Sequence, residues 1–269
     1  MSGTERRACP LCGRDNSAGA RLPYAPDPWV LRRCAACGLV YLENPPPYEA
    51  LETDLAWEKT WAAEHERRLS EEPVFGRVAA AINWMRAHVL RRDKLSTLIL
   101  RYVTPGPVLD VGCADGRALD RLPSGYIPFG IEVSRELHAL ADARFTRRGG
   151  RALRADALSG MQQLSHAFFE GIVMCSFLEH ERQPRQALQC AARLLKPGAR
   201  LILKVPNYAC WNRAVRGARW CGFRSPDHVN YFAPTLLERL LVECGLKVRR
   251  FGLHDRLPTS DNMWLVAEK

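Results

Sequence analysis

The chain has 269 residues, 47% hydrophobic and 25% charged, with ten cysteines and a formal net charge of +10. That composition is ordinary for a water-soluble globular protein with room for one large domain or a medium domain plus a small module. No apolar run approaches the roughly 20 residues that span a bilayer, and MSGTERRACPLCG lacks the apolar stretch of a secretory leader, so a cytoplasmic protein without disulfides is expected.

Only six of the 39 basic residues are lysine. The arginine excess has two readings: an anionic partner such as a phosphorylated substrate, nucleic acid or membrane surface, or scattered solvated arginines from a biased genome. No long basic block marks a binding tail.

The first element is a pair of echoes, ACPLCGRD (8–15) and RCAACGLVYL (33–42). Cys9-x-x-Cys12 and Cys34-x-x-Cys37 lie 21 residues apart, the ligand pattern of a structural zinc site, although iron suits the same four sulfurs. Gly13 and Gly38 follow the pairs, where a tight turn aims N–H groups at sulfur. A redox dithiol needs only one such pair, beside a βαβ unit that is not found here. A module of about 40 residues is too small to rest on a hydrophobic core alone, so the metal is expected to stabilise it. The other six cysteines are dispersed, mostly in apolar surroundings.

ENPPP (43–47) reads as a stiff extended boundary. Helical periodicity then predicts a cap over 48–102, with a long amphipathic helix from Pro73 to about Tyr102, broken near residues 91–93. After Pro105, short apolar runs at 107–112, 127–133, 168–177, 199–206, 246–253 and 262–267 alternate with helical stretches. The expected fold is α/β: a mostly parallel sheet with helices on both faces. The expected division is a zinc ribbon at 1–43, linker and helical cap at 44–104, and the α/β domain at 105–269.

VLDVGCADGRAL (108–119) is a buried strand, a glycine turn and the start of a helix near Arg117, an arrangement suited to a nucleotide-like ligand. Glu132, at the end of a second strand about 20 residues on, is placed to accept both ribose hydroxyls of an adenosine. Asp110 lies two residues before the first glycine. A carboxylate there repels pyrophosphate and suits an ammonium or sulfonium, which favours S-adenosylmethionine over NAD. The same argument explains why Ala114 replaces the usual middle glycine.

On these motifs the sequence resembles the class I S-adenosylmethionine-dependent methyltransferases over about residues 105–269. LDVGCADG resembles their first motif, GIEVS (130–134) the ribose motif, and RADAL (154–158) the motif that meets adenine. FFEGIVMCSFLEH (168–180), with Glu170 where Asp is usual, resembles the fourth strand, and LLKPGARLILKVPN (194–207) the fifth. The resemblance implies a Rossmann-like seven-stranded sheet with its last strand antiparallel near 262–269. It also implies a cofactor site of Asp110, Gly112, Cys113, Gly116, Glu132, Val133, Asp156, Ala157 and Cys175. The subgroup with a cysteine-paired N-terminal module and a segment like HVNYFAPTLLERLLVECGL (228–246) is the most similar, and its members often act on glycans or small metabolites.

Methyl transfer to a hydroxyl needs a base near the ends of strands four and five. His228 in DHVNYF is the first candidate and His180 in LEHE the second; a structural hydrogen bond or a pocket-shaping role is the plainer reading of each. The long connection between Asn207 and His228 carries Trp211, Arg213, Arg216, Arg219, Trp220 and Arg224. With Tyr231 these form either a substrate lid or an amphipathic helix with a solvated basic face. NPPPY (44–48) resembles a nucleobase-methyltransferase motif but precedes the cofactor turn, and Cys175 lacks the proline that accompanies a cytosine C5 nucleophile.

The expected activity is therefore O-methylation of a sugar, glycan precursor or related small polar metabolite, with an acceptor that carries anionic groups as one option. The alternatives are an RNA methyltransferase whose ribbon arginines (Arg6, Arg7, Arg14, Arg21, Arg32, Arg33) grip phosphate, and a non-catalytic scaffold. The oligomeric state is open.

Overall fold

The computed structural model describes residues 6–47, 66 and 93–269. Most of the expected helical cap at 48–102 lies outside the described residues. Its last part is present as α1 (Lys94–Tyr102), which starts where Asp93 caps it by accepting from the Ser96 amide at 3.0 Å.

The ribbon contributes β1 (Leu31–Arg33) and β2 (Val40–Leu42). The main domain then runs β3 (Gly106–Val111), α2 (Arg117–Asp120), β4 (Tyr126–Glu132), α3 (Arg135–Thr146), β5 (Arg151–Arg154), α4 (Ala157–Gln162), β6 (Phe169–Cys175), α5 (Pro184–Leu194) and β7 (Leu195–Pro206). It closes with α6 (Trp211–Arg216), β8 (Asn230–Tyr231), α7 (Pro234–Glu243), β9 (Lys247–Phe251), α8 (Leu253–Arg256) and β10 (Asn262–Glu268). Seven of these strands form one sheet in the order β5-β4-β3-β6-β7-β10-β9, with β10 antiparallel to both of its neighbours. The Rossmann-like expectation is met, including the position of the antiparallel strand.

Period-two alternation explains why both faces of the sheet are covered. Leu109, Val111, Ile172, Met174, Leu201 and Leu203 enter one core with α4, α5 and α7. Val108, Val173, Ile202 and Val266 enter the other with α1, α2 and α3. The turn after β3 follows the same packing logic. Gly116 has φ +79, and a Cβ there would meet Phe145 Cε1 at 2.8 Å and Ala141 Cα at 3.0 Å. The sequence reading tied this glycine to close approach of a ligand; in the structure α3 packing already requires it.

The ribbon does not stand apart. Its hairpin pairs through β2 with β8 of the main domain, giving a second sheet in the order β1-β2-β8. Leu31, Val40 and Leu42 share a core with Tyr208, Trp220, Phe223 and Tyr231, so the module draws part of its apolar core from its neighbour. Residues 43–46 are buried rather than an open linker: Asn44 Oδ1 accepts from the Val30 amide at 2.8 Å, and Arg32 pairs with Glu43 at 3.2 Å.

One side chain locks this junction. Arg7 donates from Nε to the Leu42 carbonyl (2.9 Å), from Nη1 to the Arg182 carbonyl (2.8 Å), and from Nη2 to the Val229 carbonyl (2.9 Å) and Asn230 Oδ1 (3.3 Å). Burial, aided by Arg182, lowers its pKa to about 10, which still leaves the guanidinium charged at neutral pH. Arg7→Ala removes a charged donor from three carbonyls, of which that of Val229 still accepts from the Leu42 amide at 2.9 Å, and hydrogen bonds from a charged donor contribute about 1.5–3 kcal/mol each. The expected loss in unfolding free energy is about 2 kcal/mol or more, read as a lower urea midpoint; an unchanged midpoint contradicts the latch.

Candidate active site

The carboxyl ends of β3, β4 and β6 meet where the strand order reverses direction, the usual ligand crevice of an open α/β sheet. Glu132 closes the turn after β3. Its Oε2 accepts from the Ala114 amide and its Oε1 from the Ser134 amide, both at 2.9 Å. Gly112 (φ +75), Ala114 (φ +47) and Gly116 all adopt the left-handed region. Ala114 thus makes the turn despite its Cβ, with its amide held by Glu132.

Asp110 is buried, and its carboxyl is pushed well above the usual carboxylate range by desolvation and then by the nearby Glu132 charge. A buried acid beside a second acid is the electrostatic setting for a cationic ligand. Cys113 is buried, its thiol 2.5 Å from where a Cβ on Gly130 would lie and within reach of the Ala114 carbonyl at 3.8 Å. Asp156 caps α4, accepting from the Ser159 amide at 2.9 Å, and Ala157 follows it, buried. Val133, half-buried, connects Glu132 to Ser134.

Beyond β6 lies a second constellation. Glu179, His180 and His228 each offer a ligand atom, and the three atoms lie within 4.8 Å of one another. The two imidazoles meet edge to face at 4.7 Å between ring centroids. Both histidine candidates therefore belong to one place, and Glu179 is the member that sequence reasoning missed. His180 Nδ1 lies 2.9 Å from the Asp227 carbonyl and His228 Nδ1 lies 2.8 Å from the Gly222 carbonyl. A carbonyl only accepts, so each Nδ1 carries the proton and each Nε2 is the basic nitrogen.

Burial dominates the electrostatics of this cluster. The Glu179 carboxyl rises to about 7 by desolvation, against its own amide and the charges of Lys204 and Arg224. The His180 imidazole falls to about 4 by desolvation and then Arg224, against the Asp227 carbonyl. His180 is accordingly neutral at physiological pH. The Cys175 thiol bridges the two constellations: burial pushes it up to about 12, against Lys204, and the carboxylates of Asp110 and Glu179 both add to the rise.

Backbone bonds set the position of the cluster. The Glu179 carbonyl accepts from the amides of Val229 (2.8 Å) and Asn230 (3.0 Å). Asn230 Nδ2 donates to the carbonyls of Leu178 (3.2 Å) and Glu181 (2.6 Å). Its Oδ1 receives Arg7, so the latch of the ribbon ends on the residues that hold the cluster.

The expected lid residues divide. Trp220 is 1% exposed and donates its indole N–H to Asp261 at 2.9 Å, and Tyr231 is 2% exposed with its hydroxyl on the His228 carbonyl at 2.9 Å. Both brace the site from inside and present no face to a ligand. Arg213 lies over the Tyr208 ring at 4.5 Å and donates to its carbonyl. Arg224 pairs with Asp227 at 3.1 Å beside the cluster. Arg216 is half-buried at the end of α6, while Trp211 and Arg219 are exposed.

In the ribbon, Cys9 Sγ lies 3.5 Å from Cys37 Sγ and Cys12 Sγ 3.5 Å from Cys34 Sγ, with all four sulfurs within 4.8 Å of one another. A tetrahedral ion with bonds of about 2.3 Å sets sulfurs about 3.8 Å apart, so the cluster fits one. The two knuckles repeat each other: the Gly13 amide donates to the Cys9 carbonyl and the Gly38 amide to the Cys34 carbonyl. Three of the six ribbon arginines are engaged within the protein: Arg7 in the latch, Arg21 with Asp27 at 2.8 Å and Arg32 with Glu43. Among the described residues no helix is long and apolar enough to cross a membrane.

A family profile described as a methyltransferase domain matches residues 85–250. The ubiquinone biosynthesis O-methyltransferase of Xylella fastidiosa (strain 9a5c) is 30% identical over 172 residues, covering 62% of this chain and 69% of that protein. Its namesake from Pectobacterium atrosepticum is 28% identical over 169 residues, covering 56% and 67%. Among solved structures, an S-adenosylmethionine-dependent methyltransferase from Archaeoglobus fulgidus superposes with a TM-score of 0.52 at 16% identity over 66% of this chain and 94% of its own. The 1,6-didemethyltoxoflavin-N1-methyltransferase of Burkholderia thailandensis, solved with 1,6-didemethyltoxoflavin and S-adenosylhomocysteine, superposes with a TM-score of 0.51 at 16% identity over 93% and 99%. With the crevice at the strand ends and the matching profile, the chain belongs to the class I S-adenosylmethionine-dependent methyltransferases.

Proposed function

We propose that the protein methylates a hydroxyl group of a small polar metabolite, a sugar or glycan precursor being the preferred class, and that the Glu179–His180–His228 cluster activates that hydroxyl. The observation that carries this reading is the convergence of two imidazoles, each with Nδ1 tied to a carbonyl, next to the cofactor crevice. The names of the relatives from Xylella and Pectobacterium support O-methylation of a small molecule.

S-adenosylmethionine supplies a methyl group on a sulfonium. Glu132 receives the ribose hydroxyls, Asp156 and Ala157 border the adenine, and Asp110 faces the cationic methionine end. Gly112, Cys113, Gly116 and Val133 contribute backbone, and Cys175 lines the floor between cofactor and acceptor. At the acceptor end, a neutral imidazole takes the hydroxyl proton on Nε2 as the oxygen attacks in line. Trp211 and Arg219, exposed on the connection from 207 to 228, contact the acceptor, with Arg216 beside them. In the ribbon, Cys9, Cys12, Cys34 and Cys37 hold a structural zinc ion.

The acceptor is found by incubating the enzyme with S-adenosylmethionine carrying a labelled methyl group and an extract of its source cells. Label is expected in the small-molecule or glycan fraction; label confined to RNA overturns the reading. His180→Ala and His228→Ala are each expected to lower kcat by about 100-fold or more while the cofactor Kd stays unchanged by calorimetry.

The raised Asp110 carboxyl predicts a pH effect on cofactor binding. At low pH the carboxyl is neutral and offers a cation little. As pH rises through its elevated pKa the carboxylate forms and attraction grows, so S-adenosylmethionine affinity should climb with pH and then level. In Asp110→Asn that climb should vanish; an identical pH profile in both proteins contradicts the assignment.

A further inference from the structure

We infer that Glu179, His180 and His228 form a binding site for a divalent transition-metal ion, distinct from the four-sulfur cluster of the ribbon. The inference rests on the proposed role of this cluster in activating a hydroxyl, and goes beyond it by naming a ligand for the cluster.

Three observations point to a cation. First, one carboxylate oxygen and one nitrogen from each histidine lie within 4.8 Å of one another. Ligands on a shared ion at about 2.0–2.2 Å sit about 3–4 Å apart, within reach by small side-chain rotations. Second, Glu179 is 1% exposed and its Oε2 has no hydrogen-bond partner. A buried acceptor left in this state carries a desolvation cost that a cation removes. Third, both histidines already have the outer bond that metal-bound imidazoles make: Nδ1–H points to a backbone carbonyl, of Asp227 for one and Gly222 for the other. This fixes the tautomer and directs the lone pair to Nε2.

The donor set selects the class of ion. Two imidazoles and one carboxylate suit zinc, manganese or iron in the divalent state, and suit magnesium or calcium poorly, since those prefer oxygen. Three protein ligands leave coordination positions open, as in catalytic rather than structural sites. Of the neighbouring cations, Arg224 is paired with Asp227 at 3.1 Å, and the Lys204 ammonium is directed to Ser176 Oγ at 2.8 Å.

In the loaded protein the acceptor hydroxyl takes an open position and the ion lowers its pKa. The hydroxyl proton passes to water, the oxygen forms a bond to the methyl carbon, and the carbon–sulfur bond breaks with its electron pair left on sulfur. With the ion bound, the imidazoles would activate the hydroxyl through it; the direct proton transfer to Nε2 described above applies to the protein without the ion.

The test uses the full-length protein with its ribbon loaded with zinc, titrated with manganese(II) chloride while the electron paramagnetic resonance signal of free Mn2+ is followed. Thiolate is a poor ligand for Mn2+, so the ribbon is silent. We expect one Mn2+ bound per chain, displaced by added zinc, with affinity reduced at least about 10-fold in His180→Ala and in His228→Ala. Unchanged S-adenosylmethionine binding by the variants shows that they fold. A free-ion signal undiminished by the wild-type protein overturns the site, as does equal binding by the variants. No Mn2+ binding together with inactive histidine variants overturns the ion and leaves the imidazole base standing. Mn2+ binding that depends on both histidines in an enzyme that transfers no methyl group to hydroxyls supports the site and overturns the proposed function.

Discussion

The Glu179 carbonyl receives two amides, from Val229 and Asn230, and the geometry of the Glu179–His180–His228 cluster, the proposed acceptor end, depends on that contact. It joins the loop after β6 to the segment that carries His228, so that residues 48 positions apart share one cluster. The same segment is the strand β8 that completes the ribbon's small sheet, and Arg7 bonds to its carbonyl and to the Asn230 side chain. Ribbon and active site are therefore one hydrogen-bonded unit. The ribbon holds the backbone of the cluster in place, and among the described residues none of its side chains enters the Glu179–His180–His228 group.

The two ends of the crevice follow different physical designs. At the proposed cofactor end, main-chain geometry dominates: left-handed residues at 112, 114 and 116 shape a turn around Glu132, beside the buried Asp110, whose charged form desolvation and Glu132 disfavour. At the proposed acceptor end, burial holds the His180 imidazole neutral and raises the Glu179 carboxyl to about 7, so the carboxyl is the group that changes charge near neutral pH. Cys175, whose thiol senses both Asp110 and Glu179, marks where the two meet.

Much of the main domain was legible because its buried strands are short apolar runs: β3, β4, β6, β7 and β10 fall on segments read that way, as does the mostly uncovered β9, KVRRF, whose buried residue is Phe251. β5 escaped because its sequence, RALR, places three basic or small residues on an edge strand with little to bury. The ribbon hairpin and β8 escaped for another reason. Three- and two-residue strands carry no periodicity, and their pairing partner lies far along the chain. The two histidines were each visible in a local motif, LEHE and DHVNYF, but no spacing rule brings them together. Glu179 was read only as part of a motif, since nothing local says that its Oε2 is buried without a hydrogen-bond partner. Trp220 and Tyr231 looked like ligand-facing aromatics because they sit among arginines, yet their polar tips find Asp261 and the His228 carbonyl inside the core. ENPPP read as a stiff extended boundary, and in the structure the Asn44 side-chain amide ties its start to the ribbon, its Oδ1 accepting from the Val30 amide and its Nδ2 donating to the Pro28 carbonyl.

The dependence of the acceptor end on the ribbon is tested most directly by amide hydrogen exchange at Val229 and Asn230. Exchange would be compared between the intact protein and a Cys12→Ser, Cys37→Ser variant whose ribbon has lost its sulfur cluster. Protection at these two amides should fall in the variant while β3, β4 and the turn at 112–116 stay protected. Unchanged protection at Val229 and Asn230 would contradict the account, because the acceptor end would then hold its shape without the ribbon.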